Sequence, residues 1–221
     1  MTKFVFSLAT LLFFSVQTSA QISGKVTIVE KGDTPRRIVE GVLVYVDGVA
    51  AAPPRELLQR EVTITSHEKQ FEPHVEAVPV GKSVTFPNLD DIMHNVFSIS
   101  EGNRFDLGLY KSGAKKDFVF ENPGLVRIYC NIHPHMSALV QVLPNPYYAW
   151  AKPDGSFSIA GVPPGQYSLT VWHEEGEATQ PIIVSETGAS GVVLKLDVSN
   201  YKKRSHLNKF GKPYKRKRGK Y

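Results

Sequence analysis

Val42-Leu43-Val44-Tyr45-Val46-Asp47-Gly48 decides the fold class. Three valines fall on alternate positions and the run stops at an Asp-Gly turn, the mark of a strand rather than a helix. The same period of two recurs at Val26 and Ile28, at Val62 and Ile64, at Phe157 and Ile159, and at Tyr167, Leu169 and Val171. Asp154-Gly155, Pro163-Pro164-Gly165 and Thr187-Gly188 punctuate these runs, and no stretch sustains a 3.6-residue repeat. Many short strands between Gly/Pro turns predict an all-β protein built of sandwiches.

The chain has 221 residues, enough for one large or two small domains with real cores. Its net charge of +5 is unevenly spread. Residues 202–220 carry ten Lys/Arg and no acid, which leaves 16 basic against 21 acidic residues elsewhere. An acidic body therefore precedes a basic tail. From Tyr201 onward aliphatic residues are almost absent, so the tail is expected to be disordered by itself. A single cysteine excludes an internal disulfide.

Residues 1–20 read as a secretory signal: Lys3, an apolar stretch from Phe4 to Val16, and the small residues Thr18-Ser19-Ala20. The stretch is shorter than the roughly 20 residues a membrane anchor needs. Export to a periplasm is the expectation. Two linker-like stretches, Ala51-Ala52-Pro53-Pro54 and Pro144-Asn145-Pro146-Tyr147-Tyr148, bracket residues 58–143.

That segment carries the chemistry. Tyr129-Cys130-Asn131-Ile132-His133-Pro134-His135-Met136 places a thiolate, an imidazole and a thioether on one short loop. Asp91-Ile92-Met93-His94-Asn95-Val96-Phe97 offers a second imidazole entering a strand. Sulfur with imidazole suits copper: His94, Cys130 and His133 would form a trigonal plane with Met136 as a long axial ligand. Zinc fits less well, because Met is a poor ligand for it. The plain alternative is an inert buried cysteine, although an unpaired thiol in an exported protein is open to oxidation unless buried or metallated. His135, on the same loop, stands as an alternative imidazole to His133. His67, His74 and His173 read as solvated loop or strand-end residues.

The pattern Val80-Gly81-Lys82-Ser83-Val84-Thr85-Phe86-Pro87-Asn88, His94-Asn95-Val96, Gly124 and Cys130-x-x-His133-x-x-Met136 resembles the cupredoxins, with a ligand loop most similar to the amicyanin type. The resemblance implies a Greek-key sandwich holding one type 1 copper and passing single electrons. It also implies that Asn95 ties the two ligand loops together near the thiolate. Tyr129, beside Cys130, is a candidate electron exit, with ordinary strand packing as its alternative.

Asp154 to Tyr167 resembles the carboxypeptidase regulatory-like, transthyretin-type sandwich, and Gly24-Lys25-Val26 and Val42 to Gly48 are similar to that family's first strands. Residues 21–50 and 148–199 are thus expected to form one discontinuous sandwich with the cupredoxin-like part, 58–143, inserted in it and residues 200–221 as tail. The simpler alternative makes 21–57 an extension of the cupredoxin-like part and 148–199 a separate module.

Four protein ligands leave no position for substrate, which argues for a carrier rather than an enzyme. A copper-delivery protein and a structural module with a vestigial site are the competing functions. The basic tail suits an acidic redox partner or an anionic membrane surface, and nucleic acid is not expected of an exported protein.

Overall fold

The computed structural model describes residues 20–37, 39–50, 58–202, 208–210 and 212. All of the expected secretory signal except Ala20, the Ala51-Ala52-Pro53-Pro54 stretch and most of the basic tail lie outside them.

Before residue 58 run β1 (Gln21–Glu30), β2 (Thr34–Pro35) and β3 (Leu43–Asp47). The segment 58–143 contributes β4 (Val62–Thr63), β5 (Thr65–His67), β6 (Gln70–Glu72), β7 (Val75–Pro79) and β8 (Lys82–Pro87). It continues with β9 (His94–Ser98), β10 (Phe105–Tyr110), β11 (Lys115–Phe120), β12 (Gly124–Tyr129) and β13 (Ser137–Leu143). After it come β14 (Tyr148–Trp150), β15 (Ser156–Ala160), β16 (Gly165–His173), β17 (Gly176–Val184) and β18 (Ala189–Asp197). Every regular element among the described residues is a strand, so the expected all-β class holds.

Strands from the two ends of the chain share sheets. β1 lies between β15, antiparallel, and β18, parallel, while β3 lies between β14 and β16, with β17 outside. The inward side chains of both sheets, among them Ile22, Val26, Val42, Val44, Val46, Phe157, Ile159, Leu169 and Val171, make one core. All of these but Ile22 are residues that the period-two reading places on alternate positions of strands. Gly155 completes the β15 turn at φ +83°, where a Cβ would come within 2.2 Å of the Val26 carbonyl oxygen. Only glycine fits there.

The middle segment forms a second sandwich. One sheet runs β10-β9-β12-β13-β7 and the other β11-β8-β4, with Val62, Ile64, Val84, Phe86, Val96, Phe120, Val126, Ile128 and Cys130 between them.

A third core joins the sandwiches. Leu43 and Tyr45 on the other face of β3, with Trp172 of β16, pack against Ala77 of β7 and Leu139 and Leu143 of β13. This explains why the first four residues of β3 are all buried: its two faces serve different cores. The Pro144-to-Tyr148 stretch is correspondingly a fixed joint, not a linker. Asn145 Nδ2 donates to the Val46 carbonyl at 2.7 Å, the Val46 N–H donates to the Tyr147 carbonyl at 3.0 Å, and the Tyr147 ring is fully buried. An aromatic directly after Pro146 was available to the core, and burying it fixes the crossing.

Candidate metal centre

Two adjacent strands deliver the donor groups. β9 opens on His94, Cys130 follows the last residue of β12, and the strands meet where Tyr129 pairs with Phe97. Side chains alternate across a strand, so Cys130 enters the inner core while Tyr129 turns to the other face. The loop after Cys130 closes on itself: the Cys130 N–H donates to the Met136 carbonyl at 3.2 Å, and the Met136 N–H donates to the His133 carbonyl at 2.9 Å.

His94, Cys130 and His133 converge. Cys130 Sγ lies 3.9 Å from Nδ1 of His94 and 3.9 Å from Nδ1 of His133, and the two Nδ1 atoms are 3.2 Å apart. A point equidistant from the three corners of that triangle is about 2.1 Å from each, the length of a metal–imidazole bond and close to that of a metal–thiolate bond. His94 and Cys130 are fully buried and His133 partly so. The donor set, one soft sulfur and two imidazoles, fits copper. Met136 is fully buried in the same core as Cys130. His135 is exposed, its ring centroid 6.1 Å from that of His133, and it stands outside the triangle.

The electrostatics keep lone pairs available. Burial, seconded by the neighbouring His94 and His135 rings, pushes the His133 imidazole below its ordinary range, favouring the neutral form that can ligate. On the far side of His94, Nε2 sits 2.6 Å from Oδ2 of Asp90. Burial opposes charge on Asp90, but hydrogen bonds from the Lys69 N–H, His94 and the Glu68 N–H prevail and hold its carboxyl below the ordinary range. Asp90 is the residue that sequence reading missed. Its four-residue spacing to His94 was visible, but that spacing gives no contact in extended chain; the loop geometry makes it.

Asn95 spans the two ligand loops. Its Oδ1 accepts from the Asn131 N–H at 3.3 Å, and its Nδ2 donates to Asp106 Oδ1 at 2.6 Å and to the Gly108 carbonyl at 3.2 Å. The other Asp106 oxygen accepts from Nζ of Lys209 in the C-terminal segment at 2.8 Å. The Asp106 carboxyl is held low, since Lys209 and the hydrogen bonds from Gly108 and Asn95 outweigh the effect of burial.

Tyr129 packs on Phe97, with ring centroids 5.9 Å apart, and lines a cleft of about 900 Å³ with His74, Arg127, Trp172 and Glu174. Burial raises its phenol, against the influence of Arg127. The remaining histidines stand apart from the triangle. His67 pairs with Glu72 at 3.4 Å, and His74 contacts the Ser137 carbonyl at 3.0 Å and Glu174 at 3.3 Å. His173, expected at an exposed strand end, is instead largely covered beside Glu175, its side chain 12% exposed.

Comparison with known proteins gives partial matches. Residues 142–191 match the family profile Polysaccharide lyase family 4, domain II. No curated protein matches. Among solved structures, the purple cupredoxin from Nitrosopumilus maritimus is 27% identical, with a TM-score of 0.34, covering 38% of this chain and 100% of its own. A mutant amicyanin in its Cu(I) form is 18% identical, with a TM-score of 0.36, covering 45% of this chain and 98% of its own. A reduced Cu(I) amicyanin mutant at pH 4 gives 19% identity, a TM-score of 0.36 and the same coverage.

Proposed function

We propose that this chain is an exported, periplasmic type 1 copper protein that carries single electrons between redox partners and is not an enzyme. One observation carries the reading: a cysteine sulfur and two imidazole nitrogens form a triangle whose centre is about a metal-bond length from all three. Copper bound by His94, Cys130 and His133, with Met136 as fourth ligand, would alternate between Cu(I) and Cu(II) and so hold or release one electron. The protein's part is to keep the ligands still. His94 stands on a strand, and Cys130 and His133 are braced by the Met136 backbone bonds and by Asn95. With four protein ligands there is no position for a substrate.

Met93 and Ile132, each next in sequence to one of the histidines, are exposed and give the rim of the site an apolar character suited to transient contact. The His133 edge is then the electron port, with Tyr129 a second route. The tail would recruit an acidic partner or an anionic membrane surface. The sandwich formed by residues 21–50 and 148–199, read as carboxypeptidase regulatory-like with the copper unit inserted, would position that partner.

Adding Cu(II) to the purified metal-free protein tests the proposal. An intense visible thiolate-to-copper absorption that is lost in Cys130→Ser, with reversible one-electron reduction, is the expected result. A colourless protein whose thiol remains titratable overturns it. Release of the metal on reduction would point to copper delivery instead.

A further inference from the structure

The short β5–β6 hairpin is built against its own backbone preferences. Its tip residues, Glu68 and Lys69, lie at φ +48° and +57°, the left-handed region that bulky side chains avoid. Strain of this kind persists where the surroundings require it. Here both tip amides reach the same carboxylate: the Glu68 N–H donates to Asp90 Oδ1 at 2.6 Å and the Lys69 N–H to Asp90 Oδ2 at 2.9 Å. The loop is fixed from below as well. The Asp90 N–H donates to Asn88 Oδ1 at 3.0 Å, and the buried Asn88 donates to the Ile92 and Tyr110 carbonyls at 2.8 and 3.2 Å. So held, Asp90 Oδ2 meets Nε2 of His94, whose imidazole is wholly buried.

His94 turns Nε2 to the Asp90 carboxylate, which only accepts hydrogen bonds, and Nδ1 to Cys130 and His133, so the neutral ring that can ligate a metal carries its proton on Nε2 and its lone pair on Nδ1. We propose that Asp90, clamped by the β5–β6 hairpin tip, is a positioning residue that fixes the tautomer and angle of His94 and biases the metal site toward the more highly charged Cu(II). A carboxylate behind an imidazole makes it a stronger donor, and such partners typically set metal affinity by about 10- to 100-fold. The inference rests on the copper reading above and adds to it a determinant of the site's potential.

Asp90→Asn keeps the shape and an acceptor oxygen but removes the charge; Asp90→Ala removes the partner. In the full chain, competition titrations should show Cu(II) affinity falling about tenfold in Asp90→Asn and by up to about a hundredfold in Asp90→Ala. If Cu(I) affinity is unchanged, the potential rises by about 59 mV for each tenfold loss. An unchanged potential and Cu(II)/Cu(I) ratio, even with reduced thermal stability, would reduce Asp90 to a structural role and overturn the proposal. Nitrogen-edited spectra of the metal-free wild type provide a readout that needs neither variant nor copper. At a pH where His94 is neutral they should show its proton on Nε2, and the Nδ1–H tautomer overturns the proposal by itself. Wild-type protein that takes no copper would sink the reading beneath it, an outcome distinct from copper binding that ignores Asp90.

Discussion

Replacing Asn95 with alanine tests whether the ligand loops are tied through one side chain. Asn95 is 2% exposed and makes three hydrogen bonds, to the Asn131 N–H, the Gly108 carbonyl and the charged Asp106. A neutral hydrogen bond contributes about 0.5–1.5 kcal/mol and a bond to a charged group about 1.5–3 kcal/mol. Asp106 is partly exposed and would regain water, so its share falls at the low end of that range. The loss for Asn95→Ala is therefore about 2.5–4.5 kcal/mol, a large part of the roughly 5–15 kcal/mol stability of a domain. Urea unfolding of the metal-free protein should show the midpoint falling with an unchanged m-value. Copper release, followed by transfer to a chelator, should also quicken, because the Cys130 loop loses its anchor to β9. A stability change below about 0.5 kcal/mol together with unaltered copper release would refute the claim that Asn95 couples the loops.

Three other perturbations probe the frame. Leu43→Ala opens a cavity in the fully buried core between the sandwiches; a loss of about 2–5 kcal/mol in chemical unfolding is expected, and a surface-like change below about 0.5 kcal/mol would contradict the shared core. Gly155→Ala should be severely destabilising in thermal melts, since the added methyl meets the Val26 carbonyl at a positive φ, and a neutral outcome would show that the β15 turn can relax. Burial raises the Asp47 carboxyl above its usual 3.8, against the lowering hydrogen bond from Thr170. The unfolded chain therefore ionises first, and this residue's contribution to stability falls as pH rises above about 3.8. Asp47→Asn should flatten that part of the stability–pH profile and raise the neutral-pH midpoint; an identical profile would rule the effect out.

How much was legible varied residue by residue. The strands at Val42–Val46 and Tyr167–Val171 could be read because burial of one face leaves a period of two in the chain itself. The second use of β3 could not, because Leu43 and Tyr45 look the same in sequence whether they face water or another sandwich. Only the docking of β7 and β13 decides that. Pro144 to Tyr148 read as a linker from its prolines, yet Asn145 and Tyr147 lock it to Val46, a partner about a hundred residues away.

The site divides along the same line. Sequence by itself marked the candidate donors, since Cys130, His133 and Met136 lie on one loop and side-chain type and short spacing are local properties. It also determined the period of the strands and the separation of acidic body from basic tail. The tertiary structure alone decided that His94 meets Cys130 across 36 residues, that Asp90 stands behind His94, and that Lys209 reaches Asp106. Those distances follow from sheet order and register, which arise from the packing of whole faces and not from the neighbours of any one residue.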